Sequence, residues 1–519
     1  MKITDKPNWQ LYLDEASGLA LDFGGLRQPL DLAAYAEKCE HALAAMQSLE
    51  AGAIANPDEG RMVGHYWLRR PEIAPTLQIA AEITETQQKI SDFVQKIHTG
   101  AIVGCTGHPF TQVLVIGIGG SSLGPVFVSQ ALKSQQDKMR LYFIDNTDPD
   151  GMDSVFAAIG GHDALAQTLV IVISKSGGTI ETQNALVETQ AMFASEGLDF
   201  YANAVRITQR GSGFDTAPDA EKWLAAFPMW NWVGGRTSVL SAVGLLPLAL
   251  QGVDTGALLA GAAVCDELGR AEPAANPSLL LALFWLSETR GEGGSLLAVL
   301  PYKDRLMLLA KYLQQLVMES LGKEFDLAGR EVRQGLAVLG NKGSSDQHSY
   351  VQQLVAGPRN AFVVFIEALS DREGASPVVR EASTSGDYLQ AFLLGTNQAL
   401  YDHGQSSVII TVPEVSAYYV GMLIALFERA VGFYADFVGV NAYHQPAVEF
   451  GKKAAGDIIS LKNQAYQYLA ARPGEAYDAA ALAGLLGASE RQLWHILRHL
   501  AANHAEISEQ HGGFLYVSE

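Results

Sequence analysis

Hydroxyls, a lysine and two glycines crowd into one stretch of this chain, Ser174-Lys175-Ser176-Gly177-Gly178-Thr179-Ile180-Glu181-Thr182. That mixture suits an anion. Glycines let backbone N–H groups approach a ligand, and hydroxyls and an ammonium add donors. A helix beginning just afterwards adds unpaired N–H groups and the positive end of its dipole. A phosphate is the natural guest, although an ordinary strand-to-helix turn with a Ser or Thr cap would use the same residues. A second stretch, Gly117-Ile118-Gly119-Gly120-Ser121-Ser122-Leu123-Gly124-Pro125, poses a similar choice. As a dinucleotide loop it would pair with Asp145, placed where a ribose-binding acid could sit, but Ser122 stands where GxGxxG needs its third glycine. The alternative is that Gly119, Gly120 and Ser121 give backbone and hydroxyl contacts to a bound sugar.

Both stretches follow short apolar runs. Thr168 to Ile173, rich in β-branched residues, precedes the first, and Gln112 to Ile116 precedes the second; both read as buried strands. Further strands are expected at Arg140 to Ile144 and Val205 to Thr208, with helical segments between them. A looser repeat follows, with strands at Leu296 to Leu300, Ala361 to Ile366 and Ser407 to Val412. A long helix after the first of these would carry Leu306, Leu309, Ala310, Leu313 and Leu316 on one face. Strands alternating with helices predict parallel sheets covered on both faces, with ligand sites at strand C-terminal ends. Residues 1 to about 108 carry helical signals. After the linker Ala470 to Glu475, a tail with two short amphipathic helices and a strand pair about His511-Gly512-Gly513 resembles a small winged helix. Its second helix offers only Arg491 and Arg498 and the tail is acidic, which favours packing or partner binding over DNA.

The 519 residues exceed one core, which stops growing near ~250–300 residues. A formal net charge of −20 with no basic stripe argues against nucleic-acid binding. Three widely spaced cysteines, Cys39, Cys105 and Cys265, fit a reducing compartment and exclude a disulfide framework or a CxxC metal site. No secretion signal is seen at the start, and the apolar runs near Leu279 to Leu286 and Val420 to Phe427 are too short to span a membrane. The expectation is a soluble, cytoplasmic protein.

Six segments together resemble the glucose-6-phosphate isomerase family: GIGGSSLGP (117–125), SKSGGTIET (174–182), VGGRTS (233–238), ESLGK (319–323), DQHS (346–349) and QPAVEFGK (445–452). They fall in the family's order and cover about residues 110 to 455. The resemblance implies two doubly wound parallel-sheet sugar-isomerase (SIS) α/β domains with helical N- and C-terminal extensions. The expected divisions are 1–108, 109–275, 276–440, 441–470 with a catalytic lysine, and the tail 471–519. It also implies a homodimer with shared active sites, a sugar-phosphate substrate, no nucleic-acid or membrane partner, and no metal or other cofactor.

Such an isomerase must open a sugar ring, pass a proton between C1 and C2 through an enediol, and hold the phosphate. By resemblance Glu319 is the proton-shuttling base and Gln315 binds the sugar, although spacing alone would equally make Glu319 and Lys323 a helix-surface pair. Arg236 matches the residue that steadies the enediolate. His348 matches the ring-opening histidine, reaching the neighbouring subunit's site and oriented by the counterpart of Glu181. Lys452 matches the ring-opening lysine and Gln445 a phosphate contact, whereas Lys453 reads as surface. This chain departs from the family's GVELGK at Ala447 and Phe450. Ser174, Ser176 and Thr179, with the backbone of Lys175 and Gly177, form the expected phosphate cradle. Gly177-Gly178 stands where many relatives carry Phe-Thr or two threonines, so backbone N–H groups must replace one hydroxyl. Two other readings stay open: a sugar-phosphate-sensing regulator, suggested by the winged-helix-like tail, and a nicotinamide-dependent oxidoreductase.

Overall fold

The computed structural model describes residues 2–6, 9–510 and 512–517, the side chains of Glu449 and Lys452 excepted. It divides into two compact units, Met1–His444 and Gln445–Glu519.

The larger unit is built on two sheets. The first has five parallel strands in the order Arg140–Ile144, Gln112–Ile116, Thr168–Ile173, Ala204–Thr208 and Ala225–Pro228. All six residues of Thr168–Ile173 are buried, as a strand covered on both faces requires. The chain starts at the 112–116 strand, moves to one side and then crosses to the other. The crevice between the C-terminal ends of the 112–116 and 168–173 strands is therefore the topological switch point where open α/β sheets bind ligands. The 117–125 and 174–182 stretches leave from these two ends.

The second sheet has a parallel core in the order Ser407–Val412, Ala361–Ala368, Ser295–Pro301 and Leu336–Leu339. Three further strands extend it antiparallel: Ala20–Asp22 beside 407–412, then Trp9–Leu13, then Thr4–Lys6. The helical reading of residues 1–108 is corrected here. These strands have three to five residues, too short for a period of two to stand out, and they form because the edge strand offers unpaired backbone groups. Helices Ala36–Glu50 and Leu77–His98 do occupy the rest of that region.

The long helix expected after 295–301 is also different. It is a short 3₁₀ turn at Asp304–Leu306, an α-helix at Leu309–Leu313 and a π-helical segment at Gln314–Glu319. Leu306, Leu309, Ala310, Leu313 and Leu316 are all buried, so the apolar face was legible but the change of helical pitch was not.

In the smaller unit, helix Ala447–Ala470 shares an apolar core with helices Ala479–Leu486 and Glu490–Asn503 and the hairpin Ile507–Gln510/Gly513–Tyr516. Leu469, Leu482, Leu493, Leu497, Leu500 and Phe514 fill it. Of the expected hairpin turn, His511 lies outside the described residues.

Candidate active site

The 174–182 stretch forms a tight loop before helix Ile180–Ser195. Gly177 has a φ of +74°, and a Cβ there would lie 2.4 Å from Phe214 Cβ, so glycine is demanded twice over. The hydroxyl oxygens of Ser174 and Ser176 accept hydrogen bonds from the backbone N–H groups of Gly177 (3.0 Å) and Gly178 (3.1 Å). Each hydroxyl keeps its own proton to donate. Thr179 is the helix N-cap residue, but its side chain makes no capping hydrogen bond. Glu181 lies half-buried in the first helical turn, a favourable place for an acid next to the dipole's positive end.

Lys175 departs from the expected ring of donors. Its ammonium donates to the backbone carbonyls of Asn231 (3.0 Å) and Val233 (2.9 Å), and burial lowers its pKa to about 8. Two carbonyls satisfy a partly desolvated ammonium better than an open loop could. The lysine thereby ties the anion loop to the segment leading into Gly234–Ser238.

That segment carries Arg236 on the 3₁₀ turn Gly235–Thr237, packed against a second 3₁₀ turn, Gly119–Ser121. The approach is so close that a Cβ on Gly120 would stand 2.0 Å from the carbonyl oxygen of Gly235. Ser238 Oγ locks the pair by donating to the carbonyls of Gly235 (2.7 Å) and Gly120 (3.2 Å). Gly120 is thus a packing requirement, and Ser121 follows it as a half-buried residue beside the crevice. Asp145, the acid of the dinucleotide reading, accepts a hydrogen bond from Ser122 Oγ at 2.9 Å.

Arg236 is buried, with a side chain only 6% exposed. Its guanidinium donates to Ser320 Oγ (2.8 Å) and to the carbonyls of Ala442 (2.9 Å) and His444 (3.3 Å). Glu319 Oε2 stands 3.7 Å from Arg236 Nε, an ion pair longer than a hydrogen bond. Burial pulls the guanidinium below its ordinary pKa, with Glu319 opposing. The π-helical segment ends on Glu319 and also carries Gln315, whose amide nitrogen comes within 3.0 Å of the place a Cβ on Gly119 would take. Extra residues inserted into a helix by π geometry recur at functional sites, because they re-aim side chains that a regular helix would bury.

Sequence reasoning missed two residues here. Ser320 anchors Arg236. Lys323 is buried, donates to the backbone carbonyl of Glu319 at 2.6 Å and is lowered by burial to about 7. The surface ion pair between Glu319 and Lys323 that the spacing allowed does not form. A glycine at 322 gave the available hint, since a surface helical pair has no need of one.

The structure does not gather every expected residue. His348 ends the 3₁₀ turn Ser345–His348, is exposed, and makes no hydrogen bond or ion pair to Glu181 or to any other described residue. Its loop is nonetheless firmly built, since buried Asp346 accepts from the Asn341 N–H (2.9 Å) and the Tyr350 hydroxyl (2.5 Å). Gln445 and Lys452 belong to the smaller unit. Lys452 lies in helix Ala447–Ala470, and its side chain lies outside the described residues.

The sequence model of the phosphoglucose isomerase family matches residues 28–471. The chain belongs to this family. It is 55% identical over 497 residues to a glucose-6-phosphate isomerase of Desulfitobacterium hafniense, spanning 95% of this chain and 93% of that protein. A glucose-6-phosphate isomerase of Synechococcus elongatus is 56% identical over 469 residues, 90% of this chain and 88% of that one. Among solved structures, a glucose-6-phosphate isomerase from Chlamydia trachomatis aligns with a TM-score of 0.78 at 28% identity, covering 86% of this chain and 89% of that one. Family membership accounts for the two doubly wound sheets.

Proposed function

We propose that this chain interconverts glucose 6-phosphate and fructose 6-phosphate, moving a proton between C2 and C1 of the open-chain sugar through an enediol. Glu319 takes the proton from one carbon and returns it to the other. Arg236 faces the negative charge that grows on the enediolate oxygen, and its guanidinium stays protonated throughout. Gln315 hydrogen-bonds the sugar near Gly119, Gly120 and Ser121. Ser174, Ser176 and Thr179 hold the phosphate with their hydroxyls, with the Lys175 and Gly177 backbone close by. One proton moves from C2 to C1 and one from the C2 hydroxyl to the C1 oxygen as the carbonyl passes from C1 to C2, all within the sugar, so the reaction calls for no redox partner.

For Lys452 and His348 in ring opening, Gln445 at the phosphate and Glu181 as the orienting acid, the support is the motif match. His348 adds one observation, its exposure without a hydrogen-bond partner among the described residues, which suits a side chain that completes the site of a second copy. We therefore read the active form as a homodimer. Three free cysteines support a cytoplasmic setting, and no helix among the described residues is long and apolar enough to cross a membrane.

The observation that carries this reading is the buried Arg236 beside Glu319 at the switch-point crevice. Proton exchange tests it. Incubated with glucose 6-phosphate in D2O, the protein is expected to form fructose 6-phosphate and to leave deuterium at C2 of the recovered substrate. Binding without exchange would mark a sensor instead.

A further inference from the structure

The second sheet has a cavity at its other end. At the N-terminal ends of the 295–301, 361–368 and 407–412 strands, a space of about 560 Å³ opens between Arg27, Tyr35, Arg290, Arg359 and Gln405. That volume lies within the ~300–1,000 Å³ typical of small-molecule sites. None of its lining residues belongs to the 117–125 or 174–182 loops, which leave the C-terminal ends of the other sheet.

Three features make it a built site. First, Gln405 is 4% exposed, and its amide nitrogen has no hydrogen-bond partner among the described residues although it lines the cavity. A buried amide donor left unpaired is costly, and a bound acceptor would recover that cost. Second, like charges converge. The guanidiniums of Arg27 and Arg359 both come within 3.6 Å of the place a Cβ on Gly404 would take. Arg27 donates to the Tyr401 carbonyl (3.1 Å) and Arg359 to that of His403, and neither has a carboxylate partner among the described residues. One carbonyl each satisfies one of five donors, so both keep N–H groups for an anion. Third, Arg290 stands on the same wall, likewise without an ion pair among the described residues, in a left-handed conformation (φ 55°) that caps helix Pro277–Thr289.

The acids on the wall do not cancel these three cations. Asp31 accepts from the Ala34 N–H at 3.0 Å, and Glu288 is half-buried, its pKa raised by burial while a hydrogen bond with Ser406 and the charge of Arg290 pull the other way, which leaves three arginines facing two acids. In a chain of net charge −20, a cavity where arginines outnumber acids is a local exception. Helix C-terminal capping accounts for one donor of Arg27 and one of Arg359, but for neither Arg290 nor the amide of Gln405.

We propose that this cavity binds a small phosphorylated metabolite through its phosphate, at a site separate from the isomerase crevice. Planar arginine forks match phosphate oxygens in pairs, and the Gln405 amide can meet a hydroxyl group of the ligand.

Calorimetric titration with inorganic phosphate tests the proposal. The unaltered protein is expected to bind two phosphates per chain. In Arg359→Ala and in Arg290→Gly, one of the two should weaken at least tenfold while the other and the thermal midpoint stay as they were. Arg290→Gly is the safer variant, because glycine is at ease where φ is positive. A Ser174→Ala/Thr179→Ala variant should weaken the other phosphate. A single phosphate per chain that only the Ser174→Ala/Thr179→Ala variant weakens, or unchanged titrations in both arginine variants, would overturn the proposal, whereas a single phosphate weakened by the arginine variants would uphold it and count against the 174–182 cradle.

Discussion

Two of the places where the larger unit buries arginine differ in the company they give it. Arg69 and Arg429 lie in the interior with fully buried side chains among carboxylates. Arg69 holds both oxygens of Asp266 (2.5 and 3.0 Å) and one of Glu428 (2.6 Å). Arg429 reaches Asp266 (3.1 Å) and Glu50, and Arg270 completes the cluster on Glu50 at 2.9 and 3.0 Å. There, charge is answered by charge at hydrogen-bond distance, which neutralises each ion locally and joins helices far apart in sequence. Arg236, equally out of water, is gripped by a hydroxyl and backbone carbonyls, with its carboxylate neighbour 3.7 Å away. Neutral oxygens fix a guanidinium's position, and on the proposed reading its charge faces the developing enediolate. One cluster joins parts of the fold, and the other, on the proposed reading, meets a ligand.

The titration directions follow the same division. Burial pushes the Asp266 carboxyl up, but Arg69 and Arg429 outweigh it and hold it at about 2. Glu428, facing mainly Arg69, is raised by burial to about 7. Burial lowers Arg236, and lowers its neighbour Lys323 to about 7.

Breaking the interior cluster should have the largest effect on stability. Asp266→Asn removes the carboxylate shared by Arg69 and Arg429, and should lower unfolding stability by about 3–5 kcal/mol in urea titration. A loss below 1 kcal/mol would mean that the two arginines find other partners and that the contrast with Arg236 is overstated. Next comes Arg236→Lys. The ammonium keeps the charge but cannot span Ser320 and the two carbonyls at once, so turnover should fall on the order of 10–100-fold with little change in substrate KM. A raised KM with kcat intact would assign Arg236 to binding or structure.

A smaller effect sharpens the comparison through pH. A carboxyl raised from 4.5 to about 7 on folding binds its proton more tightly when folded. Its contribution to stability is therefore present in full below the unfolded value and is lost as pH rises through about 7. Glu428→Gln should remove that loss, with unfolding free energies at pH 5 and pH 8 drawing together by on the order of 1–3 kcal/mol. Asp266 runs the other way, its contribution being lost only as pH falls toward about 2.

Much of the fold was legible because buried parallel strands announce themselves. Thr168–Ile173 and Ser407–Val412 are runs of apolar, β-branched residues, and the strands expected there form with ends shifted by no more than a residue or so. The Ala225–Pro228 and Leu336–Leu339 strands were not, since four residues at a sheet edge carry too short a pattern. The site was legible as motifs and opaque as geometry. Nothing in Gln314 to Glu319 signals π pitch, which depends on packing between the crevice and the core below it. Nor could spacing tell that the Lys175 ammonium would turn to the Asn231 and Val233 carbonyls, because those lie on a segment far along the chain. The interior cluster went unremarked for the same reason: Glu50, Arg69, Asp266, Glu428 and Arg429 meet only in three dimensions.

Glu319→Gln tests most directly the proposed role of Glu319 as the proton carrier beside Arg236. The amide keeps the shape of the side chain but cannot take up a proton, so turnover should drop by about 10²–10⁴ while the fold and sugar-phosphate binding persist. The measurement is deuterium entry at C2 of glucose 6-phosphate in D2O. Loss of exchange to the same degree as turnover is the predicted result. Full exchange in the folded variant would contradict the account, and the base would have to be sought elsewhere in the crevice.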